Sequence, residues 1–145
     1  MTTAYDLYQQ GWSHLRDGMP AQATVALEKA KRLEPEKASI REALGIAYFR
    51  ISRWEEAEAE FRKVLELNPK SAVAANNRGN AKCFKMRFLE AVDDFTKAIE
   101  LDPRFAGAYN NRGNAKMSLG RLDDADEDFR KALDLNPGKA DAWYN

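Results

Sequence analysis

Between Phe88 and Leu101 the apolar side chains fall at Phe88, Ala91, Phe95, Ala98 and Leu101. Steps of three and four residues make one apolar stripe along an amphipathic helix. Asp93 and Asp94 lie off that stripe. The stretch before it, from Ala72 to about Lys85, reads as a second helix, so the pair predicts an antiparallel hairpin. The hairpin recurs. Prolines stand at Pro35, Pro69, Pro103 and Pro137, and glycines at Gly11, Gly45, Gly79 and Gly113, both at one constant step. The same step carries Ala23, Ala57, Ala91 and Ala125; Leu27, Phe61, Phe95 and Phe129; Ala30, Val64, Ala98 and Ala132; and Leu33, Leu67, Leu101 and Leu135. A sustained period of this length is the mark of a repeat architecture, in which each unit buries its apolar face against its neighbours.

Cutting at this period gives repeats 4–37, 38–71, 72–105 and 106–139, and the start of a fifth at 140–145. Asn68-Pro69, Asp102-Pro103 and Asn136-Pro137 stop the second helices, because proline lacks an amide hydrogen and moves its predecessor out of helical geometry. Pro20 opens a helix instead, after Asp17-Gly18-Met19. Glu55-Glu56 and Asp123-Asp124 open second helices, where carboxylates offset unpaired amides. Asp126, Glu127 and Asp128 read as a solvated face, since they lack the spacing of a calcium loop. Small residues at Gly45, Ala57, Gly79 and Ala91 predict close approach of paired helices.

The residues Gly45, Tyr48, Ala57, Phe61, Val64 and Pro69 bring the chain close to a known pattern: it resembles the tetratricopeptide repeat family over residues 4–139. The resemblance implies an all-α fold, a right-handed superhelical solenoid of antiparallel helix hairpins, with residues 1–145 forming a single array. It also implies that first helices line a concave groove. Two features depart from the pattern. Arg78 and Arg112 stand where the family prefers leucine, and Lys82 and Lys116 where it prefers tyrosine. Their alkyl stems are expected to cover apolar surface while the charges reach water. Asn76–Lys82 and Asn110–Lys116 share one sequence, whereas Glu42–Tyr48 and Tyr8–His14 differ, so the chain changes character between Ser71 and Ala72. Divergence along a natural array and a join between pieces of different parentage both explain this. The second departure is the short fifth repeat, which cannot close the array, because an isolated helix of that length does not nucleate. Truncation of a longer array is expected, with self-association through the uncapped C-terminal end as a secondary effect.

Composition narrows the function. The 145 residues carry 23 Lys plus Arg against 23 Asp plus Glu, a formal net charge of zero, which argues against nucleic acid as the main partner. No apolar run has the length of a membrane span, so no membrane insertion is expected. Cys83 is the only cysteine, which excludes an intrachain disulfide and suits a reducing, cytoplasmic setting. His14 is the only histidine and falls in the column of Tyr48, where packing explains it. Cys83 has no histidine near it in sequence and no helix start to activate it. No metal, phosphate-loop or nucleophile-elbow motif is present. We therefore expect no enzyme, no cofactor and no metal.

The family geometry turns six positions of each first helix toward the groove. These are Tyr5, Tyr8, Gln9, Trp12, Leu15 and Arg16; Ser39, Glu42, Ala43, Ile46, Phe49 and Arg50; Val73, Asn76, Asn77, Asn80, Cys83 and Phe84; and Gly107, Asn110, Asn111, Asn114, Met117 and Ser118. The resemblance thus implies a protein or peptide ligand, with apolar anchors at Tyr8, Trp12, Phe49 and Phe84. Asn77, Asn111 and Asn145 resemble an asparagine ladder that holds peptide backbone, for which carboxamides carry both a donor and an acceptor. The opposing reading is that the asparagines bond to neighbouring helices and stabilise the stack. The aromatics of the first repeat have a core reading too, as Leu7 and Leu15 are expected to be core. A carboxylate clamp for chaperone tails is not expected. Asn80 and Asn111 fit it, but Asn76, Asp141 and Asn145 replace its bases. The alternatives to a binding scaffold are a truncated, chimeric or engineered solenoid with no cognate ligand, and the targeting module of a larger protein.

Overall fold

The computed structural model describes residues 1–139, which fold into helices with no strand among them. The order is α1 (Ala4–Arg16), α2 (Pro20–Leu33), α3 (Ala38–Arg50), α4 (Trp54–Leu67), α5 (Ala72–Phe84), α6 (Phe88–Leu101), α7 (Ala106–Ser118) and α8 (Leu122–Leu135), then a 3-10 turn at Pro137–Lys139. The fifth-repeat stretch 140–145, with its expected role at the C-terminal end, lies outside the described residues. The chain divides into two compact units between Lys70 and Ser71, one residue before the point where its sequence changes character. In unit 1, α1 pairs with α2 and α3 with α4, and α2 packs on α3. In unit 2, α5 pairs with α6 and α7 with α8, and α6 packs on α7. First helices touch within each unit, α1 with α3 and α5 with α7.

One contact sets the separation of each helix pair. A methyl group added at Gly79 would lie 2.6 Å from Cε1 of Phe95, and one at Gly45 2.6 Å from Cε1 of Phe61. At Gly113 it would lie 2.7 Å from Cε1 of Phe129, and at Gly11 2.5 Å from Cγ of Leu27. The second helix thus lays a large side chain directly over a bare stretch of first-helix backbone. Around these contacts the alanine columns are sealed: Ala23, Ala57, Ala91 and Ala125 are buried, as are Ala30, Val64, Ala98 and Ala132.

The turn inside each hairpin also repeats. Gly18, Ser52, Met86 and Gly120, one per repeat and in the same register, all have positive φ. Their amides donate to Leu15, Phe49, Cys83 and Met117 carbonyls at 3.2, 3.1, 2.9 and 3.0 Å. The next amides, of Met19, Arg53, Arg87 and Arg121, reach back to His14, Tyr48, Lys82 and Lys116 at 2.8–2.9 Å. This paired bonding around one left-handed residue satisfies the last carbonyls of a helix and suits glycine best. Ser52 and Met86 adopt it at a steric cost. The outer turns use side chains instead: Asn68 Oδ1 accepts from the Lys70 amide at 3.3 Å, and Asp102 Oδ1 from the Arg104 amide at 3.1 Å.

The solvated face expected at Asp128 is not found there, and Asp94 is buried in the same way. Asp94 is 4% exposed and Asp128 3%. Nor do Arg78, Lys82, Arg112 and Lys116 reach for water. Arg78 grips Asp94 with both ends of its guanidinium fork, at 3.0 and 2.7 Å, and Lys82 adds a third bond at 3.0 Å. Arg112 and Lys116 repeat this on Asp128, at 2.9, 2.8 and 3.0 Å. A bidentate fork plus a lysine satisfies a carboxylate that burial would otherwise penalise. Asp126 and Glu127 do face solvent, as expected. In unit 1 the equivalent acid, Glu60, is held by Lys31 at 3.0 Å and Arg41 at 3.1 Å, which ties α2, α3 and α4 together. Tyr48 takes the place of the missing lysine and donates to Glu28, under the Arg53 guanidinium at 4.8 Å. Burial, then the Glu28 contact, pushes its phenol well above the usual range.

Chemical denaturation of the chain tests these contacts. Gly79→Ala should destabilise by about 1–3 kcal/mol through overpacking against Phe95, whereas Met86→Gly should stabilise by roughly 0.5–1 kcal/mol by releasing left-handed strain. Asp94→Ala should cost about 3–5 kcal/mol because two cations are left buried and unpaired. Replacing Arg78, Lys82 and Asp94 together by Leu, Met and Ala should return stability to within about 1–2 kcal/mol of the parent. A triple variant as unstable as Asp94→Ala would mean that the ions contribute more than compensation.

Candidate peptide-binding walls

In unit 2 the adjacent helices α5 and α7 form a wall without a formal charge. The positions expected to face a groove are Val73, Asn76, Asn77, Asn80, Cys83, Phe84, Gly107, Asn110, Asn111, Asn114, Met117 and Ser118. The four cations of these helices are turned away, onto Asp94 and Asp128. Phe84, Met117 and Val73 are exposed and give the wall apolar shoulders. Asn114 is exposed, and Asn77, Asn80 and Asn111 are half-buried. Asn76 and Asn110, expected to look into an open groove, are each only 7% exposed. The reason is a bond between helices: Asn111 Nδ2 donates to Asn76 Oδ1 at 3.0 Å. For this pair the stacking role holds. One repeat further on from Asn76, Asn110 Oδ1 is buried without a partner, the one such side-chain atom among the described residues. Asn145, which stands one repeat after Asn111, lies outside the described residues. A buried acceptor without a donor costs about 1–3 kcal/mol, and Asn145 stands to Asn110 in sequence as Asn111 stands to Asn76.

Cys83 is half-buried and packs on Ala91, Phe95 and Ala115. Burial pushes its thiol up to about 11, so at neutral pH it is a protonated apolar contact rather than a nucleophile.

The unit 1 wall is aromatic. Tyr5 is 67% exposed. Tyr8 is half-buried against Ala4, Leu7, Ala30 and Ile40, and meets Trp12 edge to face, with ring centroids 6.4 Å apart and planes at 87°. Leu7 and Leu15 are core, as expected. Tyr5 and Tyr8, with Ser39 and Ile40, line a hollow of about 280 Å³ between α1 and α3, with Glu34 and Lys37 also on it. Phe49 is half-buried and engaged with Trp54 of its own hairpin, at 4.9 Å between centroids. That contact fixes the ring in place. Arg50 donates to the Leu15 carbonyl at 2.8 Å, closing the C-terminal end of α1. His14 lines a small hollow with Leu7, Gln10, Gln22, Val25, Ala26 and Lys29, between α1 and α2.

A larger hollow, about 620 Å³, lies between α7 and α8 and is lined by Tyr109, Arg112 and seven charged residues of α8. Arg112 stacks on Tyr109 at 5.7 Å and is committed to Asp128. Among the described residues no group of three His, Cys, Asp or Glu side chains is arranged to hold a metal ion. No described helix is long and apolar enough to cross a membrane. Sequence reasoning missed the residues that neutralise the unit 2 wall. Their signal is a column of acids at Glu60, Asp94 and Asp128, set 16 residues after the first-helix arginines in unit 2.

Two family models, both described as tetratricopeptide repeat, match residues 8–72 and 106–139, together more than half of the chain. No curated protein sequence matches it. Among solved structures, a crystal structure of MamA is 28% identical with a TM-score of 0.87, and the alignment covers 95% of this chain and 81% of that one. MamA 41-end from Desulfovibrio magneticus RS-1 is 27% identical with a TM-score of 0.84, covering 94% and 78%. The first tetratricopeptide domain of Spaghetti (RPAP3), bound to the HSP90 peptide SRMEEVD, is 26% identical with a TM-score of 0.69, covering 74% and 90%. The tetratricopeptide fold is a protein-interaction scaffold. With its hairpins repeating at one fixed step and two models of the same family matched along its length, this chain belongs to the tetratricopeptide repeat family.

Proposed function

We propose that the chain is a non-catalytic scaffold whose first-helix walls hold an extended segment of a partner protein, with unit 2 gripping the backbone of that segment. The observation that carries this reading is the row of half-buried or exposed carboxamide acceptors at Asn77, Asn80, Asn111 and Asn114, with the cations of the same helices turned away onto Asp94 and Asp128. An extended peptide offers an N–H at every second residue on one side, the complement of such an acceptor. Neutral amides also accept backbone without the desolvation cost that charged groups would add. The exposed Phe84 and Met117 supply apolar contact for alternate side chains of the segment. The HSP90 peptide held by the RPAP3 domain is acidic, and a ligand of that kind is not part of this proposal, because the unit 2 wall has amides where bases would be needed.

The test separates affinity from stability. Peptides selected from a random library on the whole chain should bind Asn77→Ala/Asn114→Ala about tenfold more weakly, the loss of one or two net hydrogen bonds. The same variant should unfold at about the same denaturant concentration, since neither carboxamide makes a hydrogen bond among the described residues. Asn111→Ala should instead lose about 1–3 kcal/mol of stability, because it orphans Asn76. Selected peptides that bind the double variant as tightly as the parent would overturn the amide mechanism, and failure to select any peptide would overturn the scaffold reading.

A further inference from the structure

Within unit 1 one carboxylate stands apart from the rest. Glu60 is held by two cations, and Glu28 takes Lys31 and Tyr48. Glu42 on α3 is half-buried, yet it makes no hydrogen bond or ion pair among the described residues. Its carboxyl is pushed up from the usual range by burial alone. A desolvated acid with no counter-ion is an unfavourable arrangement that an incoming cation would relieve.

The neighbouring helix α1 carries groups suited to a cation. Glu42 occupies the same place on α3 that Tyr8 occupies on α1, one repeat earlier, and the two helices touch. Trp12 lies one turn further along α1, edge-on to Tyr8. Ring faces attract ammonium and guanidinium groups, and more so where water is excluded. The basic residues nearby do not serve Glu42. Arg50 is about 12 Å further along α3, by eight residues of helical rise, and donates to the Leu15 carbonyl. Arg16 stands at the same far end of α1, and Lys37 shares the lower hollow with Glu34.

We propose that the wall formed by α1 and α3 receives a lysine or arginine side chain of the partner segment, with Glu42 as its counter-charge and Trp12 and Tyr8 as its ring walls. This rests on the scaffold reading above and adds a specificity to it: unit 1 selects for a positive side chain, where unit 2 holds neutral backbone.

The experiment uses the whole chain and two probes. The first is a set of pooled decapeptides, random except for one fixed central residue: Lys, Arg, Gln, Glu or norleucine. The Lys and Arg pools should bind about tenfold more tightly than the Gln and norleucine pools, and the Glu pool least. Glu42→Gln should abolish that preference while leaving the unfolding midpoint unchanged or raised, and Trp12→Leu should reduce it. Equal binding of all pools, or a preference that survives Glu42→Gln, overturns the proposal and leaves the scaffold reading standing. The second probe is tetramethylammonium chloride, followed by the indole N–H resonance of Trp12 and compared with tetramethylammonium addition to Glu42→Gln. If no pool binds but the Trp12 resonance shifts only in the parent, the cation site holds and the scaffold reading falls. No shift and no pool binding overturns both.

Discussion

Every hairpin of this protein depends on a large side chain resting on a glycine. Phe61, Phe95 and Phe129 lie over Gly45, Gly79 and Gly113, and Leu27 over Gly11, so closely that a single methyl group has no room. The contact does two things together. It brings the paired helices near enough to bury the alanine columns, and it fixes their axial register, because the large side chain fits over only one gap in the first helix. Ordinary helix propensity opposes it, since glycine inside a helix costs about 1 kcal/mol relative to alanine. That cost recurs in every hairpin along the chain at one spacing, which is consistent only with packing gain exceeding it at each place.

With the hairpins set by this contact, the units differ in what fills the remaining interhelical space. Unit 2 uses ions. Arg78 and Lys82, or Arg112 and Lys116, one helical turn apart, close on a single buried aspartate of the second helix. Two cations against one anion leave each cluster with an excess positive charge, yet that charge sits within the hairpin and not on the wall formed by α5 and α7. Unit 1 fills the same space with Leu44 and Tyr48, and its acid Glu60 reaches sideways to α2 and α3. The ionic version ties the two helices of one hairpin, with Arg112 also donating to Thr96 of α6; the unit 1 version ties consecutive hairpins through Glu60. These are different solutions to one geometric problem, and they explain why the sequence changes character at the boundary between units while the repeat period stays constant.

The period was legible because it rests on steric requirements that few residues meet. Only glycine fits under the ring, only small residues fill the alanine columns, and proline reliably stops a helix. Helix bounds followed closely: α6 spans Phe88–Leu101 as read, and α5 ends at Phe84, one residue before the expected limit. The turns were half legible. Gly18 and Gly120 signal a left-handed residue, but Ser52 and Met86 occupy the same conformation with no such signal, because the backbone bonds of the turn outweigh their side-chain strain. The ion clusters were not legible from amphipathic periodicity, which assigns every charge to solvent. Asp94 and Asp128 sit on the flank of their stripe and are buried only because a guanidinium from another helix meets them there. The asparagines show the same limit. A carboxamide can serve the stack or a ligand equally well, and only the positions of Asn76 and Asn111 in space assign that pair to the stack.

The groups without a partner among the described residues are informative because the neighbouring buried acids are satisfied. Glu28, Glu60, Asp94 and Asp128 each have a cation or hydroxyl in place. Folding alone would therefore be served by an apolar residue at Asn110 and a paired or absent charge at Glu42, and neither is found. Both exceptions sit at the same position of their first helices, two repeats apart. An acceptor without a partner among the described residues in one unit and a desolvated anion in the other both favour donors, the first an amide N–H and the second a cationic side chain. In the reading proposed above, the charge left unpaired at Glu42 is the complement of a partner's cation, because only an incoming opposite charge would recover what its desolvation costs.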